Sequence, residues 1–158
     1  MTQPTGIWKK TIILTLAGGL AFGVTTLAIS LLSLSAEYRA AESISNIQTV
    51  WAGGLIIGMV IACLVSYFLL RFFSKIPTKN PILKSIVLSF IALVIILILI
   101  EVPSSLRTSD PLYWFLIGVI LNVPRFLIIG IVIGYLCKRL HKETNLALVA
   151  SKSPKVDS

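Results

Sequence analysis

Four apolar runs, at about residues 11–34, 47–73, 82–101 and 112–137, constrain this chain more than any other feature. Each reaches the roughly 20 residues a helix needs to cross about 30 Å of hydrocarbon. None alternates with period two. Lipid satisfies no backbone hydrogen bond, so an open strand edge would cost several kcal/mol per unpaired group, and only helices remain. With 56% hydrophobic and 13% charged residues among 158, and a mean hydropathy of +0.96, one soluble core cannot hide these side chains. The expected fold is all-α: a polytopic integral membrane protein with a four-helix transmembrane bundle. A single transmembrane domain over residues 1–143 and a flexible cytoplasmic tail over 144–158 describe the organisation.

Lysine and arginine distribution sets the orientation. Lys9, Lys10, Arg71, Lys75, Lys79, Lys84, Lys138, Arg139, Lys142, Lys152 and Lys155 fall on one side of the four runs, and Arg39 and Arg107 on the other. The positive-inside rule then places both termini in the cytoplasm, in a plasma membrane, with anionic headgroups against the basic face. Trp8, Phe72, Phe73 and Tyr135 gather near the inner interface, and Tyr38, Trp51, Tyr113 and Trp114 near the outer one. A formal charge of +8 therefore speaks for topology and lipid rather than for nucleic acid. The start "WKK" and the later "SLSAEY" have features of a signal peptide, but the first run is too long for the usual apolar core of one. The stretch "SAEYRAAESISN" is expected to prolong the first helix by a turn or two into the outer solvent.

Small residues mark packing faces. In the first run Gly19, Gly23, Thr26 and Ser30 lie on one narrow stripe; in the second, Gly54, Gly58 and Ala62 recur every four residues; the fourth has Gly130 and Gly134. The third run, "IVLSFIALVIILILI", has no glycine. Helices one, two and four are expected to pack together, with helix three facing mainly lipid. "AGGL" occurs at 17 and again at 52, which an inverted repeat or plain apolar low complexity explains about equally well.

A permanent cation interrupts the fourth run. In "LNVPRFLIIG", Arg125 lies near the middle of the span, one turn after Asn122 and beside Pro124. A central Arg costs about 2.5 to 3.5 kcal/mol on insertion scales, which the surrounding apolar residues outweigh. Glu101, at the outer end of the third run, is about 15 Å from the middle at ~1.5 Å per residue, and a direct salt bridge to Arg125 is not expected. The guanidinium is left with the Ile120 carbonyl freed by Pro124, the Asn122 side chain, and hydroxyls of Thr26 or Ser89, or else it snorkels to the inner headgroups. Gly118, Asn122 and Arg125 share one stripe of the helix; with Pro124 they form the candidate intramembrane polar site.

Nothing in the sequence suggests catalysis, a cofactor or a metal: paired carboxylates and His or Cys clusters are missing from the apolar runs, and His141 has no second ligand nearby. Cys63 and Cys137 are expected to be reduced thiols. Two functions follow. The small-residue faces suggest a non-enzymatic subunit or scaffold, working as a homo-oligomer or inside a larger membrane complex. Arg125 suggests a transporter or channel for an anionic or lipid-like solute.

Overall fold

The computed structural model describes residues 4–41, 46–73, 78 and 80–152, with side chains described for 7–41, 46, 48–73, 78 and 80–140. Within them lie α1 (Pro4–Ser30), α2 (Ser33–Ala41), α3 (Ile47–Arg71), α4 (Pro81–Ile96), a π-helical turn (Leu97–Glu101), α5 (Val102–Ser105) and α6 (Pro111–Lys152). Four stretches are long and apolar enough to cross a membrane: Ile7–Ser30, Gln48–Arg71, Pro81–Ser105 and Pro111–Leu140. The chain is thus an all-α four-helix membrane bundle. The lysine-rich connection at 74–79 and the last six residues lie for the most part outside the described part of the chain.

Local chemistry sets the helix starts. Asn46 accepts from the Gln48 N–H at 2.9 Å and Asn80 from the Ile82 N–H at 3.1 Å, each satisfying an orphan donor of the first turn. Pro81 and Pro111 follow at positions where a missing N–H costs nothing. The first span does not continue outward as one helix. It stops at Ser30, the chain turns at Leu31 and Leu32, and α2 begins as a separate short helix. Arg39 of α2 reaches back to donate to the Ser30 carbonyl at 3.1 Å, satisfying one of the acceptors left open by the end of α1. Ser30 is accordingly a buried end-of-helix residue, its hydroxyl donating to the Leu27 carbonyl at 2.7 Å.

Glycines bring α1 against α3. A Cβ on Gly19 would lie 2.8 Å from Met59 Sδ, one on Gly58 2.6 Å from the Phe22 ring, one on Gly54 2.9 Å from Thr26 Cγ2, and one on Gly23 3.4 Å from Leu55. Ala62 meets Gly18 across the same interface. The facing sides of this antiparallel crossing are residues 18–26 and 54–62, with small residues about every four positions on both helices; the two "AGGL" segments lie at different depths of it, Gly19 against Met59 and Gly54 against Thr26.

Helix three does not stand apart. Although α4 is the least buried of the spans, it is the principal partner of α6. Gly130 and Gly134 fit against the Ile86 and Ile82 backbones, where added Cβ atoms would approach the Cα atoms to 2.9 and 2.5 Å. The reason lies in what a glycine groove needs: a partner ridge that is smooth, not one that is itself glycine. Ser85 and Ser89, both fully buried, supply that smoothness on α4. The bundle is therefore two tight pairs, α1 with α3 and α4 with α6, joined through α1 and α6. Phe22 and Phe126 meet edge to face at 5.9 Å at that junction, and Leu14, Ile61, Leu69, Ile129 and Ile133 complete the interior.

Candidate functional site

A regular helix would have kept Glu101 away from the interior. Leu93 is buried, and seven residues on, two turns of 3.6, Ile100 should share its face. Instead Ile100 is 46% exposed and Glu101 only 8%. The π-helical turn over Leu97–Glu101 explains the reversal: the Val102 N–H donates to the Leu97 carbonyl five residues back, so one extra residue is absorbed and the inward face passes from Ile100 to Glu101. Pro103, two residues later, has no N–H to give a regular ladder at this point.

The carboxylate that arrives is held on both oxygens. Tyr38 of α2 donates to Oε2 at 2.6 Å and the Asn122 amide of α6 donates to Oε1 at 2.6 Å. The Asn122 carbonyl oxygen in turn accepts from Arg125 Nη1 at 3.0 Å. Asn122 thus relays between acid and base, and Arg125 and Glu101 share one network without a direct bridge. Gly118 completes it by what it lacks, since a Cβ there would collide with Glu101 Oε2. Of the four residues expected to form the polar site, Gly118, Asn122 and Arg125 line one cavity, while Pro124 faces outward and does not.

Two expectations about Arg125 are corrected. The guanidinium does not turn toward the headgroups at the end that carries the chain termini; it points the other way, one turn back along α6, to Asn122. Helical side chains lean toward the helix N-terminus, and for α6 that is the end where Glu101 sits. The hydroxyls of Thr26 and Ser89 do not reach it either. Both are buried without a hydrogen-bond partner, packed against Gly54 and Gly130. Sequence reasoning missed Tyr38, Arg39 and Glu101. A carboxylate at the end of an otherwise apolar run was the available signal, but its facing depended on a π-turn that no periodicity reveals.

The cavity holds about 160 Å³ and lies at the end of the bundle opposite the termini, walled by α2, α3, the π-turn with α5, and α6. Measured along α6 it extends from Gly118 to Arg125, about 10 to 21 Å from Pro111 at ~1.5 Å per residue. Arg39 and Arg125 line the cavity with Glu101; Arg39 Nη1 donates to the Ser30 carbonyl and, at 3.2 Å, to Ser35 Oγ, and each Glu101 oxygen accepts one hydrogen bond. Arg125 Nε is buried and has no hydrogen-bond partner. Such a cavity has donors in excess and suits an anion. Among the described residues no group of His, Cys, Asp and Glu could hold a metal ion. No protein-family model matches the chain, and neither a curated protein nor a solved structure is significantly similar to it.

Proposed function

We propose that this chain is a non-enzymatic membrane protein that binds an anionic solute, a phosphate or carboxylate group in chemical class, in the cavity at the end of the bundle opposite its termini. The observation that carries the reading is that two arginines line a walled cavity with one carboxylate, and that Arg125 Nε is buried there without a hydrogen-bond partner. Glu101 supports binding rather than catalysis, because both its oxygens accept strong hydrogen bonds and no histidine or cysteine lines the cavity with it. The lysine-rich end supports the cytoplasmic assignment of the termini, so the cavity would face outward. Between it and that end the interior is filled by Phe126, Ile129, Ile133 and Leu14, which favours a binding site over an open pore.

The test is thermal unfolding of the purified protein in detergent with added glycerol 3-phosphate or inorganic phosphate. Stabilisation that saturates is expected, with neutral glycerol inactive. Arg125→Gln should weaken the apparent affinity about tenfold or more, the worth of a charge-assisted hydrogen bond. An identical response from wild type and variant would overturn the reading.

Association with a second copy or a larger complex is the second reading. One observation favours it: Gly53 is alone among the described glycines in having open space where its side chain would be, and it lies on the α3 face that carries exposed Ile56, Ile57 and Val60. The other glycine faces are used within the chain. Native mass spectrometry in mild detergent checks it: a dimer that Gly53→Leu converts to monomer is the expected result of this reading, and a monomer for the unaltered chain removes it.

A further inference from the structure

We propose that the cavity takes its anion together with one proton, which settles on Glu101 and turns the Tyr38 hydroxyl from a donor to the carboxylate into a donor to the anion. This rests on the anion-binding reading above and adds the regulation of that site. Glu101 already compensates Arg125 through the Asn122 amide, and Arg39 is engaged by the Ser30 carbonyl and Ser35 Oγ. An anion that entered alone and accepted from the buried, unpartnered Arg125 Nε would leave two negative groups beside that one guanidinium. Unbalanced charge is costly away from water, and a proton on the carboxylate removes the imbalance. Glu101 is the cavity residue able to take it. Tyr38 and Arg39 of α2 and Arg125 of α6 already hold their protons at neutral pH, α3 contributes Val50, and the third span otherwise contributes Ile100 and Ser104.

Hydrogen-bond chemistry places the proton on Oε2. The Asn122 amide nitrogen, 2.6 Å from Oε1, can only donate, and turning the amide over would take its carbonyl away from Arg125 Nη1. The Tyr38 hydroxyl, 2.6 Å from Oε2, is both donor and acceptor. Once Oε2 is protonated it donates to Tyr38 Oη, and the phenolic O–H turns about the C–O bond toward another acceptor. No tyrosine bond breaks, and the proton gained by Oε2 comes from solution. The cavity, which Tyr38 lines, thus loses one negative charge and gains one further donor. Gly118 keeps room for the change, since a Cβ there would collide with Glu101 Oε2 and lie 3.3 Å from Tyr38 Oη. Because the bound form carries one proton more than the empty one, the anion affinity due to this site rises as pH falls.

Glu101→Gln mimics the protonated acid permanently: its Oε1 still accepts from Asn122, and its Nε2 donates to Tyr38. The experiment follows inorganic phosphate binding by thermal unfolding of the full chain and of Glu101→Gln in detergent, between about pH 8 and 5, where Tyr38, Arg39 and Arg125 keep their protons. Phosphate's own titration is common to both proteins. At about pH 8 the variant should bind phosphate about tenfold more tightly than the unaltered chain, and the gap should narrow by up to about tenfold for each unit the pH falls, the limit for one linked proton. Calorimetric titration of the unaltered chain in two buffers of different ionisation enthalpy counts the protons without a variant. Uptake beyond what phosphate's own titration accounts for is expected. Phosphate binding without that excess, or a Gln variant that binds no more tightly than the unaltered chain at about pH 8, overturns the proton coupling and spares the anion site. Absence of phosphate binding to both proteins at every pH overturns the two together.

Discussion

Replacing Glu101 with alanine is expected to destabilise the folded chain by about 3 to 5 kcal/mol, the cost of removing one member of a buried charged network. The deletion leaves the Tyr38 hydroxyl and the Asn122 amide without the acceptor on which both now converge at 2.6 Å. It also leaves Arg125 in a low-dielectric setting without a compensating negative charge. Glu101→Gln keeps the shape and one acceptor oxygen, so a smaller loss of about 1 to 3 kcal/mol is expected. Reversible unfolding in mixed detergent micelles measures both. A double-mutant cycle between Glu101 and Arg125 sharpens the test. The two side chains make no direct bond, yet the Asn122 relay should give a coupling energy of about 0.5 to 3 kcal/mol that disappears in an Asn122→Leu background. Glu101→Ala within about 0.5 kcal/mol of the unaltered protein would mean that the carboxylate is not held as described, because that is the range of an ordinary surface substitution.

The same network marks what the sequence could tell and what it could not. Four apolar runs sufficed for four spans, because hydrocarbon thickness and backbone hydrogen bonding leave no other solution. The ends differ from the apolar runs: α1 begins at Pro4, α6 continues to Lys152, and the first span stops at Ser30, where Arg39 ties the next helix to the end of the first. Gly118, Asn122 and Arg125 share a stripe in any regular helix, and they line one cavity. Glu101 makes no direct bridge to Arg125, as its distance along the span predicts; what the distance does not show is the Asn122 amide that links the two. Its facing depended on the π-turn, whose effect is a phase shift of one residue. Tyr38 was invisible for a different reason: it reaches the site from 63 positions away, through a turn at Leu31 and Leu32 that no breaker residue announces. That Gly130 and Gly134 seat the third span is not legible from glycine spacing, because that span offers isoleucine backbone and two serines in place of glycines.

That α4–α6 contact leads to the second large effect. Gly134→Ala is expected to cost about 3 kcal/mol, the upper part of the range for overpacking. A methyl group at this position would stand 2.5 Å from Ile82 Cα, 3.1 Å from Ser85 Cβ and 3.2 Å from the Pro81 carbonyl oxygen. The obstacle is backbone, which cannot rotate aside, so the two helices must separate and give up dispersion contacts along their length. Gly23→Ala offers the contrast. Its nearest neighbour is Leu55 Cδ1, the end of a side chain, at 3.4 Å, and a smaller loss is expected. Because α4 and α6 carry Glu101 on one side and Gly118, Asn122 and Arg125 on the other, their crossing at Gly130 and Gly134 sets the register in which the polar network meets. Gly134→Ala should therefore also weaken phosphate binding at a cavity whose nearest α6 residue, Arg125, is about 14 Å away along the helix at ~1.5 Å per residue. Unfolding free energy and phosphate affinity measured on the same preparation decide the matter. A destabilised variant with unaltered affinity would mean that the network holds its own register, and a variant as stable as the parent would mean that α4 and α6 do not touch at Gly134.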